Sequence, residues 1–214
     1  MFDIEYKGGN AVIITTKKGS LAIDPKRSIF GLKNIVVKNG IELATEARFL
    51  TNSPEYQVNL EGPGEYEVSG FLIYGAPAYR HLDDRTKEGT IMASTLYRVE
   101  VDDVNIGVIG NVDPEITDDI LETLDNIDVL IIPVGGNGYT LDATAAAAWA
   151  NKIGPKVIIP VHYQNKALSY EVPQDSVDTF VELMKLPVVD EKKYKLKTAA
   201  TLPVAAEIHK LELS

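Results

Sequence analysis

The chain has no cysteine among its 214 residues, three histidines and a single tryptophan. Without cysteine there is no disulfide and no thiolate metal site, so any transition-metal centre must be built from the few imidazoles and from carboxylates. Basic residues are also in short supply. Twenty-one Lys and Arg face 31 Asp and Glu, for a formal net charge of −10. That balance argues against nucleic acid as a partner, because phosphate contacts need clustered cations. No apolar run approaches the roughly 20 residues of a membrane-spanning helix. The N-terminal MFDIEYKGGN lacks the basic, then apolar, then small-residue order of a signal peptide, and a cytoplasmic protein is the expectation.

Apolar residues make up 45% and charged residues 24%, as in an ordinary soluble globular protein with enough length to bury a core. No Ser/Gly/Pro-rich linker or internal repeat interrupts the chain, which predicts one domain over 1–214. The first hundred residues read as short strands: Ala11 to Thr16, Leu21 to Ile23, Ile35 to Val37, Ile41 to Ala44, Arg48 to Leu50, Val58 to Leu60, Tyr66 to Val68, Phe71 to Tyr74 and Thr95 to Val101. Turn residues such as Lys17-Lys18-Gly19-Ser20 and Asn39-Gly40 separate them. The joins leave little room for helices, so mostly antiparallel pairing is expected.

The rhythm then changes. Asn105 to Ile109, Val129 to Pro133 and Val157 to Val161 are apolar strands, alternating with helical patterns at Pro114 to Leu124 and Leu141 to Ile153. Thr140 is placed to cap the second helix and Gly154-Pro155 to stop it. A third helix is marked by Val177, Phe180, Val181 and Met184. Tyr194 to Lys197 and Glu207 to Leu213 read as closing strands, with His209 expected on the surface. The run from Asp128 to Tyr163 is therefore a βαβ unit ending on His162, and such units deliver strand ends to a common rim where α/β proteins bind ligands.

Leu21-Ala22-Ile23-Asp24-Pro25, Gly62-Pro63-Gly64-Glu65, Pro133-Val134-Gly135-Gly136, Tyr139-Thr140-Leu141-Asp142 and Pro160-Val161-His162-Tyr163, in this order, resemble the metallo-β-lactamase fold family, and most closely its zinc-dependent hydrolases related to ascorbate-phosphate lactonase. The resemblance implies an α/β fold, a four-layer αββα sandwich of two mixed sheets with outer helices. It also implies a site of one or two metal ions, held by a His-x-His-x-Asp-His loop after an early strand, a later His, an Asp in a Gly-Asp-Thr turn and a final His. Imidazoles and carboxylates at that spacing hold the cation and leave a position for an activated water.

Laid on this chain, the loop falls on Asn52-Ser53-Pro54-Glu55-Tyr56-Gln57, the later His on Arg80 beside His81, and the Asp on Asn111 in Gly110-Asn111-Val112-Asp113. Only His162 matches a ligand position, and no histidine precedes residue 81. Neutral amides are poor zinc ligands and an arginine repels a cation. No metal or other cofactor is expected, and the first reading is a fold member that has lost most metal ligands and acts by binding or assembly, on a small molecule or protein. The alternative is a divergent hydrolase of a phosphodiester or lactone around His162, metal-free or with a single weak zinc or manganese.

The candidate pocket residues are Asp24, Asn52, Tyr56, Gln57, Arg80, His81, Asn111, Asp113 and His162. Asp24 is implied by the resemblance to brace the metal loop. His81, Asp83 and Asp84 form a polar group that would supply a substitute metal site with His162, Arg80 would grip an anion through its fork of donors, and Asp113 suits a helix N-cap. Gly135-Gly136-Asn137-Gly138 reads as a tight turn rather than a phosphate cradle, since the Gly-Lys-Ser/Thr ending is missing. Because the lactonase relatives assemble, the resemblance also implies a homo-oligomer.

Overall fold

The computed structural model of the chain describes residues 1–81, 87, 89 and 92–214, so Asp83 and Asp84 lie outside the described residues. The first sheet contains β1 (Phe2–Gly8), β2 (Ala11–Thr16), β3 (Ser20–Ile23), β4 (Ile41–Ala44), β5 (Val58–Glu61) and β13 (Tyr194–Leu196), in the order β13-β1-β2-β3-β4-β5. The second contains β6 (Gly64–Val68), β7 (Phe71–Ala78), β8 (Ser94–Val101), β9 (Val104–Val108), β10 (Val129–Pro133), β11 (Val157–Val161), β12 (Val188–Glu191) and β14 (Glu207–Leu211). Its order is β12-β14-β11-β10-β9-β8-β7-β6. Both sheets are mixed, and with α1 (Asp118–Thr123), α2 (Ala143–Ile153) and α3 (Val177–Met184) they make the expected α/β sandwich. No helix among the described residues is long and apolar enough to cross a membrane.

Residue alternation explains how the layers meet. In β1 the buried Phe2, Ile4 and Tyr6 alternate with half-buried residues, the period-2 signature of a strand with one covered face. These side chains join Ile14, Leu21, Ile23 and Leu43 of the first sheet and Phe71, Ile73, Tyr97, Val99 and Ile106 of the second in one core. By contrast β10 and β11 are buried at every position, because α2 packs over the outer face of their sheet. Over the first sheet the outer cover is a smaller cluster of Ala11, Ala22, Ile35 and Tyr56.

Several expectations change. Ile35 to Val37 and Arg48 to Leu50 are not strands; Ala47–Phe49 is a 3₁₀ turn, and the 35–37 segment lies over the sheet as cover. The pairs β3–β4 and β4–β5 are parallel, not antiparallel, because irregular loops rather than helices carry the crossovers. The strands Phe2–Gly8 and Val188–Glu191 join the expected set. The helix expected from Pro114 begins only at Asp118, with Thr117 as its cap, and Asp113 instead accepts a turn hydrogen bond from Glu115 N at 2.9 Å. Asp142, not Thr140, caps α2 by accepting from Ala145 N at 2.7 Å. His209 is buried rather than on the surface.

Candidate functional site

The carboxyl ends of β3, β4, β9, β10 and β11 open on one rim, and His162 follows directly on β11. Its backbone is left-handed at φ 50°, a conformation that disfavours any side chain with a Cβ. The backbone N–H of His162 donates to Gly9 O at 2.8 Å, which ties the β1–β2 turn to the end of β11. A glycine is required at position 9 because a Cβ there would stand 2.3 Å from the Phe30 ring. Gly135, at the end of β10, is equally constrained: its Cβ would meet His162 O at 2.1 Å and Gln174 Oε1 at 2.4 Å.

The His162 ring is fully buried. Its Nδ1 lies 3.0 Å from Asn10 Oδ1 and 3.2 Å from Asn111 Oδ1. Two carbonyl oxygens on one ring nitrogen place the proton on Nδ1 and leave the lone pair on Nε2. Nε2 is buried and has no hydrogen-bond partner. The ring stacks on Tyr170 with centroids 5.2 Å apart and meets the edges of Phe30 and Tyr139 at 5.5 and 5.7 Å. Burial first, and then the charge of Arg48, pushes the imidazole pKa down to about 3, so the ring is neutral at physiological pH.

The amides continue the network. Asn10 Nδ2 donates to Asn111 Oδ1 at 2.9 Å, and Asn111 Nδ2 donates to the buried Glu46 Oε1 at 3.4 Å. Glu46 forms an ion pair with Arg48, Nε to Oε2 at 3.2 Å. The guanidinium of Arg48 lies over the rings of Phe49 and Tyr139, with its carbon 4.6 and 4.8 Å from their centroids. Burial pushes the Tyr139 hydroxyl up to about 12, so it is a phenol rather than a phenolate at neutral pH.

Asp24, left-handed at φ 48° and buried at the end of β3, accepts from Thr45 N and Thr45 Oγ1, both at 2.7 Å. Burial pushes its carboxyl up to about 7 in spite of those two bonds. The segment Asp24 holds is thus the one beginning at Thr45, upstream of the stretch expected from the sequence. Asn52 is exposed, and its backbone N–H donates to the buried Glu42 at 3.1 Å. Tyr56 donates to Ile35 O at 2.9 Å, and Gln57 is exposed and accepts from Ser69 at 3.1 Å. These three residues serve the outer cover and its edge.

Arg80 bridges to Val112, and the backbone N–H of His81 donates to Asn111 O at 3.1 Å, so that segment runs beside the rim. Asp113 N donates to Tyr79 O at 2.9 Å. The structure therefore brings Asn111 and His162 together, sets Asp24 behind them under Thr45, and adds Asn10, Glu46 and Arg48, which sequence reasoning missed. Among the described residues no group of three or more His, Asp or Glu side chains stands where it could hold a metal ion.

With this geometry in view, the comparisons are direct. The model of the beta-lactamase superfamily domain matches residues 3–162. The chain belongs to the beta-lactamase superfamily. Within that superfamily it is similar to a UPF0173 metal-dependent hydrolase of Archaeoglobus fulgidus, 24% identical over 132 residues that make up 60% of this chain and 57% of the relative. The match thus spans little more than half the length of that relative. Among solved structures it is similar to one named as a Zn-dependent hydrolase of the metallo-β-lactamase superfamily from Thermotoga maritima. There the TM-score is 0.77 at 19% identity, over 99% of this chain and 100% of the other. A metallo hydrolase from Ignicoccus hospitalis gives a TM-score of 0.65 at 14% identity, covering 100% and 96% of the two chains. At such identities the superposed structures speak for the fold.

Proposed function

We propose that this superfamily member works without a resident metal, as a binding protein whose rim cluster replaces a metal centre. The observation that carries this reading is the linked set His162–Asn10–Asn111–Glu46–Arg48. Glu46 and Arg48, two residues apart just after β4, reach His162 through Asn111, upstream of the Asn52–Gln57 stretch on which the resemblance lays the metal loop. A cation at His162 Nε2 would need at least two more good donors. Among the described residues the available groups are amides, aromatic rings and a carboxylate already paired with arginine, and the guanidinium charge opposes a second cation. These described residues do not fit a metal centre.

The hydrolase alternative draws support from the names of the relatives and from the free Nε2 lone pair. Against it stands the chemistry of that nitrogen. A base whose conjugate acid has a pKa of about 3 takes up a proton poorly at neutral pH, where general bases work best with pKa values near the working pH. The binding reading is therefore preferred, with the whole chain as one domain and a small molecule or a protein as the partner.

The test is elemental analysis of protein expressed in medium supplemented with zinc, manganese and iron and purified without chelator. The reading expects metal far below one equivalent. A stoichiometric metal that is lost in Glu46→Ala and in His162→Ala would overturn it.

A further inference from the structure

A concave site lies away from the rim, on the outer face of the second sheet beneath α1. It is a groove of about 830 Å³, within the 300–1,000 Å³ range of small-molecule pockets. Tyr74, Ala76 and Arg98 form its floor, and Ile120 and Thr123 of α1 form a wall. None of Asn10, Glu46, Arg48, Asn111 or His162 lines it.

Strand register builds the floor. Glu65 of β6 stands opposite Tyr74 of β7, and Tyr74 opposite Arg98 of β8, so an acid, an aromatic ring and a cation run in one row across the face. The guanidinium of Arg98 lies 4.5 Å from the centroid of the Tyr74 ring. Its Nε is buried with no hydrogen-bond partner, and no carboxylate of a described residue pairs with it. A half-buried guanidinium with an unused donor in a cavity wall leaves a desolvated charge uncompensated. Around the mouth, Glu65, Glu115, Asp119 and Glu122 are exposed carboxylates, with Asp113 half-buried beside them.

We infer that this groove binds a small zwitterion of the amino-acid class, with its carboxylate on Arg98, its ammonium toward the acidic rim and its apolar body between Tyr74 and Ile120. The charges select this class over its neighbours. A simple anion would meet Arg98 but pass the five carboxylates that line the groove, and a simple cation would suit the rim but meet the Arg98 guanidinium on the floor. A molecule carrying both charges, separated by a few ångströms, satisfies floor and rim together. The apolar floor adds the hydrophobic contribution typical of such pockets.

The experiment titrates the intact protein at low salt with three probes, L-phenylalanine, phenethylamine and 3-phenylpropionate, followed by saturation-transfer NMR and calorimetry. The expected result is saturable binding of L-phenylalanine, with each single-charge analogue at least about tenfold weaker. Arg98→Gln is expected to weaken L-phenylalanine by about tenfold or more. Ala76→Phe, which fills the groove and leaves Arg98 in place, is expected to remove binding. The inference fails if none of the probes binds the folded wild type, or if folded Arg98→Gln retains wild-type affinity. It also fails if either analogue matches L-phenylalanine.

Discussion

Two buried histidines sit in this molecule in opposite surroundings. His162 is enclosed by Phe30, Tyr139 and Tyr170 and gives its one proton to two amide oxygens. His209, on β14, has a carboxylate at each nitrogen: Glu191 Oε1 at 2.6 Å from Nδ1 and Glu207 Oε1 at 3.2 Å from Nε2. Its ring meets Tyr194 of β13 edge-on at 4.8 Å, so it joins the edge strand of the first sheet to the second strand of the other. The first site has one unused nitrogen among rings at a rim; the second has none. A histidine's neighbours, more than its burial, decide whether it remains available for chemistry or is used up in structure.

The largest expected effect is the pH dependence of stability set by His162 and the nearby Asp24. His162 has a folded-state pKa of about 3 against 6.5 unfolded. The unfolded chain binds more protons in that window, so this contribution to stability is complete above pH 6.5 and is lost as pH falls toward 3. The shift corresponds to at most about 5 kcal/mol. Asp24 acts in the opposite direction. Its carboxyl is raised from 3.8 to about 7, so the folded state holds the extra proton and stability declines, by up to about 4 kcal/mol, as pH rises through that interval. Urea unfolding from pH 4 to 8 should show the two partly cancelling in the wild type. Asp24→Asn should steepen the loss of stability toward acid and His162→Gln should remove it. If neither variant alters the profile, the burial argument for both groups is wrong.

Next in size is the close approach at Gly135. Gly135→Ala puts a methyl group 2.1 Å from His162 O and is expected to cost about 3 kcal/mol or more through overpacking. Gly138→Ala meets nothing within 4 Å, although φ is +73°, and should cost about 1 kcal/mol for the left-handed backbone alone. Chemical denaturation of the pair checks the difference.

Truncating the rings sharpens the contrast further. His162→Ala removes a fully buried side chain, leaves the Asn10 oxygen without its donor and takes one of two donors from the Asn111 oxygen, for roughly 3 kcal/mol. His209→Ala leaves two carboxylates that remain partly exposed and should cost less, roughly 2 kcal/mol. Equal losses in thermal and urea unfolding would remove the distinction. The smallest effect is electrostatic. Arg48→Met withdraws the charge that adds to burial in depressing the His162 imidazole, and a slight upward move of that titration is expected by NMR. A downward move would contradict it.

Much of this arrangement was legible in the residues. The apolar blocks Val129–Pro133 and Val157–Val161 could only be strands covered on both faces, and that placed His162 on the rim. Asn111, which follows β9, came instead from the resemblance, whose Gly-Asp-Thr turn falls on Gly110-Asn111-Val112. Glu46 and Arg48 were hidden because a 3₁₀ turn carrying Ala47 and Phe49, with Leu50 after it, has the apolar content of a short strand. With no histidine to anchor the early loop, the sequence reading laid it on Asn52–Gln57, away from the residues that the structure gathers around His162. Asp24 carried the signal that would have corrected it, since a buried acid at a strand end needs donors, and Thr45, at the end of the next parallel strand, supplies two. Asn10 carried no such cue, because an Asn after two glycines reads as an ordinary turn.

The most direct test of the rim cluster is the His162 ring itself, followed by ¹⁵N and ¹³C NMR while zinc is added to the purified protein at neutral pH. The account predicts a neutral ring protonated at Nδ1 whose signals do not move with zinc. A shift of the Nε2 resonance that saturates at one zinc per chain and reverses with chelator would contradict it.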